Sequence, residues 1–347
     1  MNFQNNRYTL KFANEKDNDG IIKVFESGHF SGGISVKYLR NPNPLASFSA
    51  DGDYSKIMVI RDNERDEIVA VGGAVIRDEY VNGDVRKCGY LTGLKIRPDY
   101  QKKIRFIARA YQFLFENIAE CDCFYTTILD DNKNAIALLE KGHKSMPKYH
   151  YLGNYTTYCF HGGKKILEVE ENNLSGFEDI IDAYFRKLTF SPVNYNYTGL
   201  GNKTFYSIRK GGEIIACCFV GNQQATKQYH MCAYGGVYRF LSHLPTHIFG
   251  YPSFPKPNSD VNFGILSYLY IKGNDRRLCS DFLRSVAKLT SFSLLIWGGF
   301  ENNPLCSAMD GMRTVNYGSR LYSVAWGSQP LGIGGDGAIV GVEVALL

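Results

Sequence analysis

One arrangement of residues occurs twice in this chain, and it restricts the folds open to it. Ile60-Arg61, a polar turn and Glu67-Ile68-Val69-Ala70 recur as Ile208-Arg209, a Lys210-Gly211-Gly212 turn and Glu213-Ile214-Ile215-Ala216. Leu91-Thr92-Gly93-Leu94-Lys95-Ile96-Arg97 is echoed by Leu266-Ser267-Tyr268-Leu269-Tyr270-Ile271-Lys272, and each copy runs into a basic segment that opens a helix. Asp131-Asn132 and Glu301-Asn302 then stand in matching places, after an apolar strand and before a short helical stretch. Repetition at so long a period implies two related domains, not a solenoid of small units.

A length of 347 residues accommodates two such domains, each with its own core. With 44% apolar and 21% charged residues the chain is not of the disordered class. Its 24 Tyr and 22 Phe suit packed sheets and ring-lined pockets. A net charge of +5 is compatible with an anionic cofactor and too thinly spread to imply DNA. The nine cysteines show no disulfide or metal spacing; adjacent Cys217 and Cys218 point to opposite faces of a strand and cannot share a ligand. Reduced, mostly buried thiols are expected instead of a zinc site. Met1 to Arg7 lacks the apolar stretch of a secretory signal, and no apolar run reaches membrane-spanning length. A soluble cytoplasmic protein without a membrane partner is expected.

Strands are predicted at Tyr8 to Phe12, Lys56 to Arg61, Glu67 to Ile76, Lys87 to Ile96, Phe124 to Leu129 and Tyr149 to Phe160. Helices are predicted at Ile21 to Phe25, at Lys102 to Ile118, and at Lys133 to Lys141 with Gly142 as its left-handed cap. Residues 27–55, rich in Gly, Ser, Asn and Pro, read as one long connection. After a boundary near His161-Gly162-Gly163-Lys164, the plan restarts with a strand at Ile166 to Val169 and a helix through Phe177 to Phe185. It continues with a hairpin at Thr204 to Val220, a strand at Ile265 to Ile271, a helix at Phe282 to Leu289, a strand at Leu294 to Trp297 and a closing strand at Tyr317 to Trp326. Residues 221–262, with Pro245, Pro252, Pro255 and Pro257, read as a loop insertion. His243 and His247 have helical ligand spacing, but Pro245 lies between them and no acidic or cysteine partner is near in sequence, so no metal is expected. Gly332 to Gly337 has the glycines of a phosphate loop without a following helix, and reads as a flexible turn.

Strand, hairpin, strand, basic turn, helix, strand, short helix: this order resembles the GNAT superfamily of acyltransferases, here in tandem. In that family a Gln/Arg-x-x-Gly-x-Gly/Ala turn offers backbone amides at a helix N-terminus to the pyrophosphate of acetyl-CoA, where free N–H groups and the helix dipole favour an anion. The corresponding run is Leu94-Lys95-Ile96-Arg97-Pro98-Asp99-Tyr100-Gln101-Lys102-Lys103-Ile104-Arg105-Phe106. Pro98, Tyr100 and Gln101 fit; Ile104 and Phe106 replace the glycines that allow close approach of phosphate. Lys102, Lys103 and Arg105 offer compensation, since a charge-assisted hydrogen bond contributes about 1.5–3 kcal/mol. Asp131 to His143 is similar to the family's Asn-x-x-Ala-x-x-Leu-Tyr-Glu-Lys-x-Gly-Phe segment, matching at Asn132, Ala135, Leu138, Glu140 and Lys141. Leu139 replaces the tyrosine that protonates the CoA thiolate, His143 replaces the phenylalanine, and Thr92-Gly93 stand where a glutamate base is frequent.

The resemblance implies an α/β fold of two GNAT-like domains, residues 1–162 and 163–347, each a mixed, mostly antiparallel central sheet flanked by helices. It implies acyl transfer from acetyl-CoA to a small-molecule or peptide amine without a metal. Leu94, Ile96, Gln101, Lys102, Lys103, Ile104, Arg105, Phe106 and Asn132 would hold the cofactor, and the catalytic residues are unassigned. The second half lacks the glycine pattern at Ile271 to Leu278 and parallels the Asn132 segment only loosely at Phe300 to Pro304, and it reads as a degenerate GNAT-like domain that shapes an acceptor pocket or an interdomain cleft. Two rivals stay open: aminoacyl transfer from tRNA, marked by steep salt dependence, and a binding or sensor protein that kept the fold without the chemistry. Turnover of acetyl-CoA with an amine would eliminate the second rival.

Overall fold

The computed structural model describes residues 3–4, 7–28, 33–101, 107–142, 146–162, 167–326 and 339–347. The first half contains β1 (Tyr8–Phe12), α1 (Asn18–Glu26), β2 (Ile34–Leu39), α2 (Pro44–Ala50), β3 (Tyr54–Asp62), β4 (Glu67–Val81), β5 (Asp84–Ile96), α3 (Ile107–Glu116), β6 (Cys123–Leu129), α4 (Lys133–Glu140) and β7 (Lys148–Phe160). The second contains β8 (Glu170–Glu171), α5 (Phe177–Ala183), β9 (Asn202–Lys210), β10 (Glu213–Asn222), β11 (Gln228–Tyr234), α6 (Gly236–Leu241), β12 (Phe263–Ile271), α7 (Arg276–Leu289), β13 (Leu294–Phe300), α8 (Cys306–Met309) and β14 (Thr314–Ala325).

Local chemistry explains the main helices. The Asp275 side chain accepts from the amides of Arg277 and Leu278 and so caps α7, which buries Cys279, Phe282, Leu283 and Val286 along one stripe. Helix α1 buries Ile21, Val24 and Phe25 on the same logic. Gly142, in the left-handed region at φ 64°, follows the C-cap of α4 as the sequence indicates.

In this α/β fold all the numbered strands except β2 and β11 form one mixed sheet, flanked by helices, in the order β1-β3-β4-β5-β6-β14-β7-β13-β12-β10-β9-β8; Phe3–Gln4 extends it beyond β1. Two copies of one plan run outward from its centre. β5 and β6 are parallel, as are β12 and β13, and the neighbouring pairs are antiparallel. The irregularities repeat too. A register shift at Ile60/Arg61 recurs at Ile208/Arg209, and one at Val71/Gly73 recurs at Cys217/Phe219.

At the centre the halves exchange strands. β14, from the end of the second half, lies between β6 and β7 of the first, and β7 in turn pairs with β13 of the second. The sequence order implies that β7 closes the first unit and β14 the second; β7 instead bridges to β13, and β14 inserts between β6 and β7. Two further expectations are corrected. Residues 27–55 and 221–262 are not simple connections: they carry β2, α2 and β11, and β2 and β11 pair with each other in a three-stranded sheet with Ser259–Asp260. In place of a strand at Ile166 to Val169, the edge is Glu170–Glu171; Ile166 lies outside the described residues.

Helices α3 and α4 cover one face of the first half through Tyr111, Leu114, Ile136 and Leu139, and α1 and α2 cover the other through Ile21, Phe25 and Phe48. A third core joins the halves. Tyr90 and Tyr125 share a cluster with Phe177, Phe185, Phe190, Phe219 and Tyr268, Tyr125 stacking on Phe190 at 4.3 Å, and C-terminal residues between Val340 and Leu346 belong to it.

Candidate functional site

β5 and β6 stay paired for three rungs, Cys88–Cys123, Gly89–Phe124 and Tyr90–Tyr125. Beyond them β5 runs on to Ile96 and β6 to Leu129 without pairing, which opens a wedge between parallel strands. The Thr126 hydroxyl donates to the Leu91 carbonyl at 2.7 Å and closes the apex. On the far side of β5, Thr92 opposes Gly73 and Lys95 opposes Val71, so Gly93 and Leu94 form a bulge. Gly93 has φ 70°, and a Cβ there would lie 2.9 Å from the Phe48 ring. Both the backbone and the space ask for glycine.

Four of the residues singled out from sequence lie among the described residues near this wedge. Leu94 is 51% exposed at the bulge, and Ile96 packs half-buried against the core that α3 and α4 cover. Gln101 is exposed at the end of the turn Pro98–Tyr100. That turn is fastened from below: the buried Tyr100 hydroxyl donates to Asp62 at 2.8 Å and to Glu67 at 3.2 Å, and Arg97 pairs with Glu67 at 2.6 Å. Lys102, Lys103, Ile104, Arg105 and Phe106, the proposed anion-binding turn, lie outside the described residues, as does His143. Asn132 stands on the opposite arm, beyond the end of β6, where its side chain accepts from the Ala135 amide at 3.2 Å and caps α4. Leu139 is buried core, as expected of a leucine in the tyrosine's place. The structure thus brings Leu94, Ile96, Gln101 and Asn132 to the two arms of one wedge.

The second half has the same wedge, and it is filled. β12 and β13 keep three rungs, from Phe263–Leu294 to Ile265–Ile296, and then part. Tyr268, the counterpart of Gly93, carries φ 53° in the matching bulge. Its amide donates to Glu343 Oε1 at 2.9 Å. The turn Val344–Leu346 that follows packs against both β12 and β13. Burial raises the Glu343 carboxyl to about 8.

Other side chains secure this C-terminal segment. Lys227 Nζ donates to the Ala345 carbonyl at 2.7 Å, Arg77 to the Leu346 carbonyl at 3.1 Å and Tyr155 to the Val342 carbonyl at 2.9 Å. The cations are buried in pairs. Arg77 meets Glu79 at 2.6 Å, while Arg40 and Lys227 meet the two oxygens of Asp51 at 2.8 and 2.7 Å. Burial lowers Lys227 to about 8.

Sequence reasoning missed the bulge, Glu343 and the ion-pair cluster. Glycine at 93 was the available signal for the bulge. Glu343 and Tyr268 are 75 positions apart, and no local pattern links them. His243 and His247 lie exposed around a short turn, and no group of three or more ligating side chains that could hold a metal occurs among the described residues.

No protein-family model matches the sequence, and no curated protein matches it. Solved structures do. Saccharomyces cerevisiae N-myristoyltransferase with bound myristoyl-CoA superposes with a TM-score of 0.60 at 10% identity, over 98% of this chain and 90% of that one. A GCN5-related N-acetyltransferase from Sphaerobacter thermophilus gives 0.52 at 9% identity, over 92% and 96%. One from Anabaena variabilis gives 0.50 at 9% identity, over 91% and 72%. This chain has the fold that those proteins share, the GNAT fold. At such identities the likeness is one of fold alone.

Proposed function

We propose that this protein is an N-acyltransferase that moves an acyl group from acetyl-CoA to a small-molecule or peptide amine, with the thioester in the wedge between β5 and β6. The observation that carries this reading is internal to the molecule. In the second wedge the bulge amide of Tyr268 binds an oxygen of the Glu343 carboxyl group. The same bulge in the first wedge carries Gly93, and the described C-terminal segment packs in the second wedge. A backbone N–H fixed where an oxygen binds suits a thioester carbonyl, whose oxygen gains negative charge when an amine attacks. The amine nitrogen then bonds to the carbonyl carbon, the C–S bond breaks, and the thiolate takes up the proton that the amine loses.

Leu94 and Ile96 would flank the pantetheine arm, Gln101 to Phe106 would hold the pyrophosphate, and Asn132 would border the opposite arm. An amine that is already partly neutral needs no strong base, which fits Thr92-Gly93 in the place of a glutamate. Calorimetric titration with acetyl-CoA, and with a long-chain acyl-CoA beside it, tests the reading. Micromolar binding that weakens on combined Gln101→Ala and Lys102→Ala substitution supports it. No binding of either thioester overturns it.

A further inference from the structure

We propose that the segment Gly236–Tyr251 docks the protein on an anionic lipid surface. The inference is independent of acyl transfer. It also departs from the expected absence of a membrane partner, because an element that lies on a bilayer has no spanning signature.

Helix α6, Gly236–Leu241, contains Val237, Tyr238, Phe240 and Leu241, yet buries none of its residues. In the turn that follows, Thr246–Phe249, only Thr246 is buried. Val237 is 65% exposed, Phe240 68%, Ile248 70% and Phe249 58%, with Leu244 and Tyr251 each at 40%. Half of the dozen most exposed large apolar side chains among the described residues therefore lie within fifteen positions. Scattered exposed apolar residues are ordinary, but such a concentration marks a surface that meets something apolar.

Charge decides between a lipid and a protein partner. No Asp or Glu occurs between Glu213 and Asp260. Arg239 and Lys256 are exposed within that stretch. Arg313 joins them from the chain ahead of β14, donating to the Phe249 carbonyl with its guanidinium 5.6 Å from the Tyr251 ring. His243 and His247 are exposed between the apolar positions. Aromatic and aliphatic side chains on a segment whose own charged residues are all bases match the boundary of an anionic bilayer, where rings sit at headgroup depth and cations meet phosphate. The segment is also held in place. Thr246 Oγ1 donates to the Pro252 carbonyl at 2.7 Å, and the Tyr251 amide to the Thr246 carbonyl at 3.2 Å. The patch is presented by a fastened loop, so docking requires little ordering.

Co-sedimentation of the full chain with phosphatidylcholine vesicles, with or without about one third phosphatidylglycerol, tests the proposal. The protein should pellet with the anionic vesicles, about tenfold less with neutral ones, and less again as salt is raised. Phe240→Ser, Ile248→Ser and Phe249→Ser together should abolish pelleting and leave the thermal melt unchanged, because none of the three is buried. Arg239→Glu with Lys256→Glu should remove the preference for anionic vesicles. Failure of the native chain to pellet overturns the proposal, as does undiminished pelleting of the triple variant. So does a native dimer that the triple variant converts to monomer without any vesicle binding, which would assign the patch to a second copy.

Discussion

Gly93 and Glu343 show how much one position decides. At Gly93 a left-handed φ and the nearby Phe48 ring both oppose a side chain. Gly93→Ala should lose about 1–3 kcal/mol in urea unfolding and weaken acyl-CoA binding with it; full stability would show that the bulge relaxes freely. Glu343 makes a pH prediction. Its carboxyl stands at about 8 in the folded chain against an ordinary value of 4.5, so the folded state holds the proton more tightly than the unfolded one. The stability it contributes is therefore fully present below about pH 4.5 and is lost as pH rises toward about 8. Urea midpoints should fall across that window in the native chain and fall less in Glu343→Gln, which keeps an oxygen for the Tyr268 amide. Equal slopes in both chains would refute the assignment. Gly93 was visible in the sequence as a glycine inside a strand pattern; Glu343 was not, because its environment is assembled from distant segments.

Individual elements were more legible than their partners. Alternation and helical spacing are local, and they located the long strands and five of the helices, though the strand from Glu67 runs five residues past Ile76 and α7 starts six residues before Phe282. Pairing is not local. Nothing in Tyr149 to Phe160 says that its neighbours come from residues 294–300 and 314–325. β2 and β11 were hidden for a different reason: Gly, Asn and Pro around them imitate loops, and their strand character comes from pairing across the halves. Asn132 illustrates a motif residue with a structural duty. Its side chain caps α4, so Asn132→Ala should cost about 1 kcal/mol in urea unfolding while Asn132→Asp costs little. If Asn132 also meets the cofactor, the aspartate will lower acyl-CoA affinity without that loss of stability. Equal stability of the alanine and native chains would remove the capping role.

The whole molecule is held by exchange. We propose 162/163 as the boundary between the two repeats, yet a cut there separates β7 from β13 and β14, the two strands it pairs with. It likewise takes β14 away from β6 and β7. Each half alone would present unpaired edges at the centre of its sheet, which invite aggregation, and would expose the aromatic core between the halves. Residues 1–162 and 163–347 produced separately should therefore be insoluble or lack a cooperative melt, and should recover one when produced together. Cleavage of the intact folded chain at that point leaves every strand pair in place, so the two pieces should co-elute as one particle and part only in denaturant. Two separately soluble monomers with native melts would show that the exchanged strands decorate two self-sufficient cores. Co-elution combined with failure of the isolated halves would show that the repeated plan folds only as a pair, with the β5–β6 wedge of one half completed by a strand from the other.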